Sequence, residues 1–155
     1  MLVALVGCCV ARAQEVRLGD GRVAAAKGHV VLLSDAVEVE AGKASVVELR
    51  FRVEPGFHIN SHTPKDELLI PTVLKLDAGA VKVAAEEYGA GTAFRLQVGA
   101  GETLDVYQGE FRVVVRLVAP KGASTLVGAL RYQACDKAAC FPPRTLPVVV
   151  AVTGR

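Results

Sequence analysis

From His29 onward, short apolar runs recur along the chain, separated by glycine, proline and charged residues. The clearest is ASVVELRFRVEPG, in which Val47, Leu49, Phe51 and Val53 alternate with Glu48, Arg50, Arg52 and Glu54. A period of two is the mark of a strand with one buried face, and Pro55-Gly56 then turns the chain. HVVLLSD, TVLKL, AVKVAAEEY, AFRLQVG, EFRVVVRLVAP, STLVGALRYQA and TLPVVVAV are further strand candidates. No segment sustains a helical period, and the glycines and prolines are spaced so as to break one. Eight or so short strands at regular spacing predict an all-β protein, an immunoglobulin-like antiparallel β-sandwich. A single domain is expected over residues 28–155, with no internal repeat and no low-complexity tract.

Composition agrees with this reading. A chain of 155 residues with 52% hydrophobic residues and no Trp is long enough to bury a core without cross-links. Its valines favour strands. The formal charge is +2, and no Lys/Arg cluster is interleaved with aromatics, which argues against nucleic-acid binding. The start, MLVALVGCCVARAQEV, is apolar and ends in small residues. It is too short to span a membrane, which takes about 20 apolar residues. Ala11-Arg12-Ala13 fits the small-x-small pattern before a signal-peptidase cut. Residues 1–13 are therefore expected to be a signal peptide, truncated because the usual positive start is missing, and residues 14–27 a polar lead-in. Leu5-Val6-Gly7-Cys8 supports a rival reading, a lipoprotein signal with Cys8 lipidated. Either route exports the chain to a compartment where disulfides persist, as a soluble or lipid-tethered monomer with no membrane span.

Export leaves Cys135 and Cys140, in RYQACDKAACFPPRT, as the pair able to bond internally. Three readings of C-x4-C compete. As a staple it closes a small loop, constraining the unfolded chain by about 2 kcal/mol. As a redox switch it lacks a helix N-terminus to lower a thiol pKa, and Asp136 and Lys137 pull in opposite directions. That suits a relay to a partner bringing its own reactive thiol, with Pro142-Pro143 stiffening the backbone beyond Cys140. As half of a zinc site it would need His58 and His62 of GFHINSHTPKDE. Those histidines share a face only on a helix, which Pro55-Gly56 and Pro64 oppose, and a His in such a loop reads as polar surface. No G-x-S-x-G, phosphate loop or H-E-x-x-H is present, Asp66 and Glu67 read as a solvated turn, and nothing orders Cys and His into a protease pair.

Two segments together carry a resemblance. PGFHINSHTPKDELLIPTVLKL, followed by VYQGEFRVVVRL and LRYQACDKAACFPPRTLPVVV, is similar to the N-terminal periplasmic domain of the DsbD thiol:disulfide interchange proteins, from about Val30 to Val152. The resemblance implies an immunoglobulin-like sandwich acting as a periplasmic redox carrier, with no cofactor beyond its cysteines. Such a domain has the activity of a protein-disulfide reductase. It takes electrons from a thioredoxin-like domain and passes them to exported acceptors such as disulfide isomerases or the thioredoxins of cytochrome c maturation. It also implies Cys140 as the exchanging thiol and Cys135 as the resolving one. Phe57, His58 and Asn60 fall where relatives place side chains beside the pair, and a histidine there suits proton transfer. Tyr107 and Tyr132 complete the near-site candidates. The acidic pair and Phe of the family's cap loop have no residue-for-residue match; Tyr88, Phe94 and Tyr107 are the candidate cap aromatics. The alternative function is a sandwich that binds a protein through its loops and keeps a fixed disulfide.

Overall fold

The structure, a computed structural model, describes residues 28–96 and 101–155. The expected signal peptide, lead-in and Cys8 lie outside the described residues, as does the end of the AFRLQVG run. Among the described residues there is no helix, and so none long and apolar enough to cross a membrane.

Among the described residues, twelve strands form three four-stranded sheets. The first sheet has the order β1 (Val30–Leu32), β3 (Ala44–Val53), β9 (Glu110–Val118), β6 (Lys82–Tyr88). The second has the order β2 (Ala36–Val39), β12 (Arg144–Gly154), β10 (Gly122–Tyr132), β5 (Val73–Leu76). The period-two pattern decides which side of each faces inward. Val47, Leu49, Phe51 and Val53 of β3 are buried, with Val113, Val115 and Leu117 of β9 beside them. Leu126 and Leu130 of β10 and Val148, Val150 and Val152 of β12 join them in one core cluster. The alternate residues of β3 and β9 form ion pairs on the outer face: Arg50 with Glu110 at 2.6 Å and Arg112 with Glu48 at 3.1 Å. Exposed pairs of this kind contribute little stability; their effect is to keep that face polar. The protein is thus an all-β sandwich of immunoglobulin-like type.

Two features depart from the sequence reading. The strand count is larger, because β2, β4 (His58–Asn60), β8 (Thr103–Tyr107) and β11 (Ala134–Cys135) are too short or too polar to show a clear period. And the sandwich is not wholly antiparallel, since β2 pairs with β12 in parallel, Ala36 opposite Ala151 through Val39 opposite Gly154.

The third sheet, β11-β4-β8-β7 (β7 being Thr92–Arg95), is assembled from continuations of both layers. β4 follows β3 through the Pro55-Gly56 turn, and β8 leads into β9 through Gln108-Gly109. β11 follows β10 after one residue, Gln133. Gly56 has φ 88° and Gly109 φ 61°, left-handed conformations that glycine adopts without steric cost. The third sheet caps one end of the sandwich, sending Ile59, Tyr107 and Ala134 into the core cluster.

Candidate functional site

Cys135 and Cys140 are joined as a disulfide. Cys135 is the second residue of β11 and is only 2% exposed, whereas Cys140 is exposed. The loop between them is built by its own backbone. Asp136 N–H donates to the Ala139 carbonyl at 2.9 Å, and Phe141 N–H donates to the Ala134 carbonyl at 2.8 Å. The Asp136 carboxylate accepts the N–H groups of Ala138 and Ala139 at 2.7 and 2.8 Å, an Asx-type turn. Those two hydrogen bonds hold the Asp136 carboxyl below the usual carboxylate range. Gln133 Nε2 donates to the Phe141 carbonyl at 3.1 Å, fixing the exit of the loop.

Next to β11 lies β4, with Ala134 opposite Ile59 and Cys135 opposite His58. Residues opposite one another on paired strands share a face, so His58 and Cys135 are side by side, and Ile59 turns to the core. His58 is therefore not the polar surface histidine its loop-like sequence suggests. It is 2% exposed, with its ring centroid 4.2 Å from that of Phe94. Burial pushes its pKa below the ordinary value, and the Asp136 carboxylate partly opposes the shift. Among the described residues its Nε2 has no hydrogen-bond partner.

Phe57 sits at the other side of the pair. It stacks on His29 with ring centroids 3.8 Å apart, and both rings lie near Phe141, the residue after Cys140, at 5.9 and 5.4 Å. His29 Nδ1 is 3.2 Å from a Glu54 carboxylate oxygen. His29 has no signal in the sequence, since a single residue ahead of the first apolar run carries no period. Phe141 had one, its adjacency to Cys140.

The remaining candidates are placed elsewhere. Asn60, on the same face of β4 as His58, donates from Nδ2 to the Ile70 carbonyl at 3.0 Å and ties down the loop after β4. Tyr107 points into the core, stacks on Phe111 at 4.7 Å and donates to the Gly89 carbonyl at 2.9 Å. Tyr132 is buried and accepts the His29 N–H at 3.2 Å, beneath the aromatic cluster. Of the three cap aromatics, Phe94 lies against His58, while Tyr88 stacks on His62 at 3.6 Å. His62 Nδ1 is 3.0 Å from the Thr72 carbonyl. No three His, Cys, Asp or Glu side chains among the described residues are placed to hold a metal ion. Two grooves, about 450 and 400 Å³, meet near Gly89 and Tyr107, and neither is lined by a cysteine.

A model of the family described as thiol:disulfide interchange protein DsbD, N-terminal, matches residues 30–151, a span that contains both cysteines and all of β4. The chain belongs to the DsbD N-terminal domain family. Membership supports thiol–disulfide exchange as the general chemistry of the domain. Among solved structures, the DsbD N-terminal domain of Neisseria meningitidis in its reduced form is 22% identical, with TM-score 0.47, over 74% of this chain and 82% of that one. The N-terminal periplasmic domain of ScsB from Proteus mirabilis is 14% identical, with TM-score 0.49, over 77% of this chain and 44% of that one. No curated protein sequence matches significantly. In this chain the two cysteines differ: Cys135 is buried beside His58, whereas Cys140 is exposed.

Proposed function

We propose that the protein is an exported, periplasmic electron relay. It would accept a pair of electrons from a thioredoxin-like dithiol and pass them to the disulfide of an exported protein. The observation that carries the proposal is the asymmetry of the pair: Cys140 is exposed and Cys135 buried. Thiol–disulfide exchange proceeds by attack on an accessible sulfur, so an incoming thiolate reaches Cys140 and Cys135 leaves. In the reverse direction Cys140 forms the mixed disulfide and Cys135 resolves it. The half-buried rings of this region, Phe57 and Phe141 with His29, give a thioredoxin-like partner a partly apolar surface beside the reacting cysteine. Residues 1–13 act as the export signal, residues 14–27 as the lead-in and residues 28–155 as the exchanging domain, working as a monomer with no cofactor.

The test is a redox titration of the domain against glutathione or dithiothreitol, with alkylated thiols counted by mass. A midpoint of roughly −180 to −270 mV, the range of exchange proteins, supports the relay. A potential below about −300 mV makes the pair a fixed staple, and the protein a binding module. In a relay, Cys135→Ser accumulates a mixed disulfide with a thioredoxin-like partner, whereas Cys140→Ser forms none.

A further inference from the structure

Resolution of a mixed disulfide at Cys140 needs a thiolate at Cys135, and Cys135 is the worse placed of the two to form one. A free thiol titrates at about 8.5, and burial in apolar surroundings raises that value. The loop offers no helix N-terminus to offset this, and its two charges oppose one another: Lys137 is exposed, while Asp136 follows directly and its carboxylate is held ionised by the Ala138 and Ala139 amides. A base beside the sulfur would speed the attack at neutral pH by taking the thiol proton as the new bond forms.

One side chain is placed to do this. His58 is the cross-strand partner of Cys135, and such partners carry their Cβ atoms about 4.5–5.5 Å apart on one face. Its ring is pinned by Phe94. Its Nε2 is buried and, among the described residues, bonded to nothing while the disulfide is closed. A buried polar atom left unpaired is costly, and one that persists calls for an explanation. Opening the disulfide supplies the missing partner, because it creates an S–H group at the neighbouring position. The groups facing the ring are Cys135 and Asp136 from β11 and its loop, and Phe94 from β7. Only Asp136 among them bears a charge, and its sign favours an imidazolium once one forms.

We propose that His58 is the general base of the resolving step. In the dithiol form Nε2, with the proton of the neutral ring on Nδ1, accepts a hydrogen bond from the Cys135 thiol. In the mixed disulfide, the Cys135 sulfur attacks Cys140 Sγ as Nε2 takes its proton. The Cys135–Cys140 bond forms, the bond from Cys140 to the partner sulfur breaks, and the partner leaves as a thiolate carrying the electron pair. The imidazolium then returns its proton to solvent or to that thiolate. The domain is oxidised by two electrons and the partner reduced by two. The proposal rests on the exchange reading.

The experiment is a stopped-flow reaction of the reduced domain with one equivalent of 5,5′-dithiobis(2-nitrobenzoate), whose coloured thiolate reports each step. The first release marks attack by Cys140, and the second marks displacement by Cys135. In the wild type, the first-order rate constant of the second release is expected to rise with pH through the His58 titration and to flatten by neutrality. In His58→Phe, which keeps a ring against Phe94, the rate constant of the second release at pH 7 is expected to fall about 100-fold, the lower range for loss of a general base. It should then climb about tenfold per pH unit toward the pKa of the thiol itself. His58→Gln keeps hydrogen-bonding capacity without basicity and is expected to behave as His58→Phe does; it also serves if the Phe variant does not fold. A second-release rate constant unchanged in either variant, or a wild-type pH profile in His58→Gln, overturns the proposal. A wild-type domain that gives no first release overturns the exchange reading instead, before His58 is ever tested.

Discussion

At the scale of single residues, the protein keeps ionisable groups where their charge state is fixed by surroundings. His58 is the sharpest case. Its pKa is lowered chiefly by burial, so between its folded value and the unfolded value of about 6.5 the unfolded chain binds more protons. That stabilising contribution is complete above about pH 6.5 and is lost as pH falls toward the folded value. Urea midpoints measured from pH 8 down to pH 5 should therefore decline, and His58→Phe should flatten the part of the decline that begins near pH 6.5. Asp136 works in the opposite place, on the surface, by accepting two amides. Asp136→Ala should leave global stability nearly unchanged while hydrogen exchange at Ala138 and Ala139 speeds markedly. Asp136→Asn, which retains an acceptor oxygen, should restore most of the protection.

At the scale of elements, the long strands were legible in the sequence and the short ones were not. β3, β9 and β12 each alternate over nine or more residues, which makes the period unmistakable. β4 has three residues, all buried, so it shows no alternation, and the turn and proline around it read as a loop. It is nevertheless the strand that organises the site, for Ile59 anchors it in the core and His58 meets Cys135 on the other face. The cysteines themselves were visible from spacing and setting, but which sulfur faces solvent depends on β11 pairing with β4, a contact between residues 75 or more positions apart. Ile59→Ala should cost about 3 kcal/mol, the usual scale for an aliphatic core truncation, measured by urea denaturation. Because the anchor and the site share one strand, the same change should also expose Cys135 to alkylation in the reduced domain. Gly56→Ala, forced into a positive φ, should produce a milder version of both effects.

At the scale of the whole molecule, the core does not depend on the disulfide. The buried cluster is made chiefly by the two main sheets, and the closed loop spans a sequence separation of only 5. Chain entropy then limits what the bond adds to about 2 kcal/mol. The reduced domain should remain folded at 25 °C, with a urea-derived stability lower by no more than about that amount. Such a small difference is what lets one fold exist in both redox states. The positions of the ends matter in another way. β12 begins at Arg144, opposite Tyr132 and close to the cysteine loop, and runs eleven residues to Gly154. At about 3.3 Å per residue this carries Arg155 about 36 Å, to the opposite pole of the sandwich, where its backbone N–H bonds to the Val39 carbonyl. A bead, dye or sensor surface coupled there would hold the molecule by its far pole. Every immobilised copy would then present Cys140 to the surrounding solution, ready to capture whatever thiol chemistry flows past.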